Sequence, residues 1–346
     1  MTCSTHTRLL FVGDVMLGRL VNEVLEQAPP EYPWGDTLPL FRGADWRCCN
    51  LECVLSDRGQ PGAATPKAFH FRSDARNVAV LKTAGVNAVS LANNHTLDFD
   101  HVALMDMLRS LDNAGIAHSG AGANLVAAAN PAIAEVQGLR VGLISFTDNQ
   151  PEWEATPESA GVFHVPTDVG DQRTSKLFEL IRYTRQRVNL LIVAAHWGPN
   201  WGYAPPPAQI PFGHALIDAG ADVVFGHSGH VCRGIEIHHG RPVIYSAGDF
   251  IDDYAVDKVE RNDRSFVFVV EVAGGALHQL KLYPTAIRMC QACLARGAEA
   301  EETARQMRRL CLDLGTEARW NAGGHCLEID LAETGSPRPC DGLKRH

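Results

Sequence analysis

The 346-residue chain lacks any uninterrupted apolar run near the ~18 residues that a membrane-spanning helix needs, so a membrane span is not expected. It also lacks a cluster of basic residues. Lys and Arg total 31 against 40 Asp and Glu, for a net charge of −9, and the basic stripe of a nucleic-acid binder is missing. Nucleic acid is therefore not expected as a partner. Aromatic residues make up only 7%. The ten cysteines are thinly scattered and suit no disulfide framework. Residues 1–8 contain neither an apolar segment nor a small-residue cleavage site of the secretory kind. Reduced thiols and a cytoplasmic location are the expectation, and a core of this size needs no disulfide to fold.

What the chain does have is alternation. Short apolar, β-rich runs at residues 9–12, 86–91, 140–146, 190–195, 222–225, 241–247 and 265–272 are separated by helical patterns at 20–27, 101–114, 174–187 and 211–219. That alternation indicates an α/β fold. The proline-rich joints at 28–33 and 204–211 read as surface loops. After Pro284 the composition turns rich in Ala, Arg, Glu and Leu. Residues 1–284 are thus expected as one domain, 285–334 as a C-terminal helical cap with its helix from Ala286 to about Leu314, and 335–346 as a disordered tail.

Polar residues of one chemical kind follow these strands. Asp14 follows the first strand, and Asn50 with Glu52 follows residues 46–49. Asn94 and His95 follow 86–91, His196 follows 190–195, and His227 with His230 follows 223–225. In α/β sheets, ligands bind outside the carboxyl ends of strands. Carboxylates, amides and imidazoles there suit a borderline divalent ion such as Mn, Zn or Fe. Singly, each residue has a structural reading too: Asp14 and Asn94 as helix caps, a lone His as packed or exposed.

The segments Gly13-Asp14-Val15-Met16-Leu17-Gly18-Arg19, Asn50-Leu51-Glu52, Ala92-Asn93-Asn94-His95 with Asp98, and His196-Trp197-Gly198 resemble the signature of the CapA family of poly-γ-glutamate capsule synthesis proteins. So do Gly226-His227-Ser228-Gly229-His230-Val231, Gly234-Ile235-Glu236, and Tyr245-Ser246-Ala247-Gly248-Asp249-Phe250 with Asp253. The family is in turn similar to the calcineurin-like metallophosphoesterases. That resemblance implies a four-layer α-β-β-α sandwich of two mixed sheets with one or two divalent metal ions at the strand ends. It implies Asp14 as the first metal ligand, Glu52 near the bridging carboxylate, Asn94, His196, His227 and His230 as further ligands, and His95 as the histidine that assists the leaving group. The chain departs from the superfamily pattern at Met16, where a histidine ligand is usual. It also has two residues between His227 and His230 rather than one, and Asp249 where much of the family has asparagine.

The function this resemblance implies is that of a metal-dependent hydrolase acting on a phosphoester or a γ-glutamyl-type amide through a metal-activated water. The alternative is a non-catalytic component of poly-γ-glutamate synthesis that binds an anionic polymer. Arg19 and Lys67 are the expected contacts for an anionic small-molecule or polymer substrate; a surface ion pair and a solvated strand face are their structural readings. With Met16 in place of imidazole, the ion at Asp14 is expected to be the weaker of two. Cys290 and Cys293 form a lone CxxC without zinc partners at a standard spacing and read as two thiols on one helical face. Residues 120–124 read as a turn, and His238-His239 as exposed in a hairpin.

Overall fold

The computed structural model describes residues 6–62, 65 and 67–331; the expected disordered tail lies outside them. Two mixed sheets face each other. The larger, ten-stranded sheet runs in the order Arg319–Asn321, Cys326–Asp330, Ala276–Arg288, Arg264–Ala273, His6–Val15, Trp46–Leu51, Ala88–Ser90 and Ala117–Ser119. Asp249–Ile251 also pairs with His6–Val15, and Gln291–Leu294 with Ala276–Arg288. The six-stranded sheet runs Ile235–His238, Arg241–Ile244, Val223–His227, Leu190–His196, Leu139–Thr147 and Ala132–Val136.

The short apolar runs are strands buried on both faces, which is why they read as continuous rather than alternating. In the first strand, Leu9 and Phe11 enter the core between the sheets, where Ile192, Ala194 and Phe225 meet them. Leu10 and Val12 turn outward to a core shared with Leu104, Met107 and Leu111 of the helix Asp100–Ala114. On the far side, Leu191 and Val193 pack against Leu177 and Ile181 of Gln172–Arg185 and against Phe212 and Leu216 of Gln209–Ala219. The period-2 alternation of the pleat thus produces the four layers, helix, sheet, sheet, helix.

Past Pro284 the expectation needs correction. The chain does not become helical at Ala286. That residue continues the strand Ala276–Arg288, which folds back at Met289 and Cys290, both in the left-handed region, into Gln291–Leu294. Cys290 and Cys293 therefore lie at a hairpin rather than on one helix face. The helix is confined to Gly297–Leu312, and it inserts Ala304, Met307 and Cys311 into the core between the sheets. Alanine and arginine content alone masked the strand, whose edge is set by pairing rather than by propensity. Ala121–Gly122, inside the stretch read as a turn, forms a two-residue ladder with Gly161–Val162. The eight cysteines among the described residues are all free.

Backbone approach is closest at Gly13, just before Asp14. A Cβ there would fall 1.9 Å from the Gly248 carbonyl oxygen, and the same carbonyl accepts the Asp14 backbone N–H at 3.0 Å. Because the obstacle is backbone, no rotamer change relieves it. Gly13→Ala is expected to destabilise the fold by at least the ~1–3 kcal/mol typical of overpacking, read as a lower urea midpoint at unchanged slope.

Candidate metal centre and cleft

Register delivers the candidate residues to one place. On the larger sheet, Asp14 pairs laterally with Asn50 on one side and Asp249 on the other. On the smaller sheet, His196 pairs with His227. Glu52 follows its strand directly, its backbone N–H donating to the Val15 carbonyl at 3.0 Å. The carboxyl ends of both sheets thus present donors to a shared space.

Two groups of potential ligand atoms form there, each with its members within 4.8 Å of one another: Asp14 with His196 and His227, and Asp14 with Glu52 and Asp249. Asp14 belongs to both; the resemblance places Glu52 near the bridging carboxylate. The His196 and His227 Nδ1 atoms lie 2.9 Å apart, and His196 Nε2 lies 2.9 Å from Asn94 Oδ1. His230 Nδ1 lies 3.0 Å from Asp249 Oδ1. The structure therefore brings Asp14, Glu52, Asn94, His196, His227 and His230 into one contiguous cluster. It adds Asp249, which the strand-end argument passed over because it opens a three-residue strand of its own rather than ending one. The side-chain amides of Asn50 and Asn93 orient the set. Asn50 Nδ2 donates to Asp14 Oδ1 at 2.7 Å, and its Oδ1 accepts from Asn93 Nδ2 at 3.0 Å.

Met16 is no ligand. It is buried in the apolar core, and its sulfur accepts the Gly18 N–H at 3.0 Å. Asp249 is a further carboxylate within reach of Asp14 and Glu52.

Burial dominates the electrostatics. It pushes the Asp14 carboxyl up to about 6, against the pull of the Asn50 hydrogen bond. Burial, then repulsion by Asp14 and Asp249, drives Glu52 well above the carboxylate range, and burial followed by Asp14 does the same to Asp249. Burial also pushes His227 down to about 3 and His196 well below the ordinary imidazole value. Neutral imidazole is the ligating form of histidine. Glu52 Oε2 and Asp249 Oδ2 are buried without a hydrogen-bond partner, and an unmet buried polar atom is costly. A carboxylate-rich pocket with neutral imidazoles and orphaned acceptors fits a divalent cation of the Mn, Zn or Fe kind.

Beside this cluster opens a cleft of about 420 Å³, lined among others by Arg19, Phe69, His95, Trp201 and Tyr254. His95 is stacked on Phe71 at 3.9 Å between ring centroids, and its Nδ1 contacts Asp98. Burial lowers the imidazole to about 4 although Asp98 opposes this. Arg19, with a positive φ of 51°, has its Nε 3.3 Å from Asp253 and its guanidinium 5.0 Å over Phe69. Lys67, read as a substrate contact, is placed otherwise. Its side chain is 11% exposed, and Nζ contacts Asp98, the Asn94 carbonyl and, at 3.1 Å, His95 Nδ1. Its charge is spent holding the Asn94–Asp98 turn. The opposite wall, Asn200 and Trp201, hangs from the fully buried Arg233, which donates to the Pro199 and Gly202 carbonyls at 2.6 and 3.1 Å. No sequence pattern announced that role; only the buried charge does.

The geometry defines a class first: an α/β sandwich with a candidate divalent-metal centre at the carboxyl ends of its two sheets. The chain belongs to the bacterial capsule synthesis protein family PGA_cap, which it matches over residues 8–254. It is 32% identical to a probable polyglutamine synthesis accessory protein of Mycobacterium tuberculosis, over 85% of this chain and 87% of that one. The capsule biosynthesis protein CapA of Bacillus anthracis is 29% identical, over 71% of this chain and 59% of that protein. Among solved structures, a novel phosphatase of Mycoplasma pneumoniae is 13% identical, with 82% of this chain and 94% of that one covered at a TM-score of 0.49. No helix among the described residues is long and apolar enough to cross a membrane.

Removing one carboxylate from the cluster relieves repulsion in the metal-free chain and weakens its hold on a cation. Asp249→Asn is expected to melt higher than the unmodified chain in chelator and to gain less on adding Mn²⁺ or Zn²⁺. The unmodified chain should gain about 2.7 kcal/mol at a hundredfold excess of metal over Kd, followed by thermal melts across a metal titration.

Proposed function

We propose that this chain is a metal-dependent hydrolase that cleaves a phosphoester or a γ-glutamyl-type amide. The observation that carries the reading is the pair of donor groups sharing Asp14 at the floor of a cleft whose wall holds His95. Asp14, Glu52, Asp249, His196 and His227 would hold the metal, with Asn94 and His230 at its margin. Divalent metal bound there supplies Lewis acidity to the scissile group and a more acidic water.

The protein's own groups divide the remaining work. Arg19 reaches over the cleft from a strained backbone position, set to receive an anionic oxygen of the substrate. With Lys67 satisfied by Asp98 and the Asn94 carbonyl, the His95 contact to Asp98 puts the imidazole proton on Nδ1. Nε2 is left as the atom that exchanges a proton with the leaving group. The Phe71 stack fixes the ring plane, so the proton path has one direction. Burial between the sheets excludes bulk water from the carboxylates while the cleft side admits substrate.

A second reading has its own support in the relative described as an accessory protein of polymer synthesis: the cleft binds an anionic polymer without cutting it. The two are separated by screening the metal-replete chain against phosphoesters and γ-glutamyl peptides. Hydrolysis is expected, with His95→Asn lowering kcat by ~10²–10⁴ at unchanged metal content and Asp14→Asn losing metal and activity together. Binding of poly-γ-glutamate that survives His95→Asn, with no turnover of any compound, would instead establish the accessory role.

Asp253 engages Arg19 and also accepts the Leu20 N–H at 2.9 Å, so it holds the guanidinium over the cleft. If Arg19 grips the substrate anion, Arg19→Met raises KM by at least tenfold with a smaller change in kcat. An equal fall in kcat and kcat/KM would assign Arg19 to the transition state instead.

A further inference from the structure

A different cluster of ligand-type side chains lies at the other end of the smaller sheet. The candidate centre sits where Leu190–His196 and Val223–His227 end. The helix Gln209–Ala219 and the hairpin turn between Ile235–His238 and Arg241–Ile244 lie where Val223–His227 and Arg241–Ile244 begin. Periodicity places the residues. His214 and Asp218 are four apart and share a helix face; Glu236 and His238 are two apart and share a strand face. His239 occupies the first position of a two-residue turn, with φ 51°, and Gly240 the second, with φ 70°.

The distances suit one ion. His238 Nε2 lies 3.0 Å and His239 Nε2 3.7 Å from the same oxygen, Asp218 Oδ1, and all three atoms lie within 4.8 Å of one another. Tetrahedral zinc with bonds of ~2.0–2.1 Å sets its ligand atoms ~3.3–3.5 Å apart, between the two observed separations. Both imidazoles address a single carboxylate oxygen. The His238 ring is backed face to face by His214, with centroids 4.1 Å apart and planes 5° from parallel. His214 Nε2 is in turn 2.8 Å from Glu236 Oε1, and Tyr245 donates to Glu236 Oε2 at 2.6 Å. The stack and the hydrogen bonds behind it hold the His238 ring in place.

We propose that Asp218, His238 and His239 form a second divalent-cation site, selective for zinc over magnesium, with its fourth position open to solvent. Imidazole donors favour zinc, and hard magnesium prefers oxygen ligands in octahedral geometry. The site is independent of the hydrolase reading, since it shares no residue with the candidate centre and lies at the opposite strand ends.

The turn supplies a test that does not compromise folding. Asn-Gly is the favoured pair in a two-residue hairpin turn with both φ positive, so His239→Asn removes a ligand while keeping the turn. The full-length, untagged chain is dialysed against zinc buffered at low micromolar free concentration, and bound metal is counted. His239→Asn and Asp218→Asn are each expected to hold one zinc fewer per chain than the unmodified protein, with the melting temperature in chelator unchanged for His239→Asn. The same dialysis against magnesium should show no difference between the three chains. Equal zinc content in the unmodified chain and His239→Asn would overturn the proposal, as would a difference that magnesium reproduces.

Discussion

Like charges held out of water set the terms for this molecule. Asp14, Glu52 and Asp249 are buried within reach of one another, and beside them burial, then repulsion by Asp249, drives the Asp252 carboxyl well above its ordinary range. In a low-dielectric interior such a group cannot carry its full negative charge without a counterion. The flanking imidazoles are forced neutral by the same burial. A fold that accumulates these groups stores unfavourable interaction at the seam of its two sheets, and a multivalent cation is the economical way to discharge it. The glycine contact at Gly13 and the Asn50–Asn93 amides serve this arrangement by bringing Asp14 close to its neighbours and holding it there.

The walls around that seam are anchored by charge that does not face the substrate. Lys67 is drawn inward onto Asp98, and Arg233 is buried under the Asn200–Trp201 loop. Both long cations act as internal ties, with their charged ends shared among carbonyl oxygens. The tie explains why a cleft open to solvent can keep aromatic side chains such as Trp201 and Tyr254 in defined positions around His230, whose ring meets both edge-on.

Much of this was legible beforehand, for a physical reason. Strands buried on both faces leave uninterrupted apolar runs, and the polar residue that ends each run marks the carboxyl edge of a sheet. Asp14, Asn94, His196 and His227 were visible by that rule. Asp249 was not drawn from it, although it follows the run 241–247 through Gly248, because it opens a strand of its own, Asp249–Ile251, rather than ending one. Lys67 was read as a cation for an anionic substrate, and the sequence does not say which side of the turn its ammonium enters; the structure turns it onto Asp98 and the Asn94 carbonyl. The strands after Pro284 were missed since their Ala and Arg content fits a helix when read in isolation; only the pairing of Ala276–Arg288 with Arg264–Ala273 and with Gln291–Leu294 reveals them.

That late pairing has a bearing on how the protein is made. The strand that carries Asp14 lies between Trp46–Leu51 and Arg264–Ala273 in the larger sheet. The family-matched stretch ends at residue 254, ten residues before the second of those neighbours begins. During synthesis the strand bearing Asp14 emerges before both neighbours, and its edge at His6–Phe11 stays unpaired until more than 250 further residues have left the ribosome. Long-range closure of this kind is slow and leaves an exposed strand edge in the interval. A chain stalled short of Ala273 would keep that edge open and be prone to self-association through it.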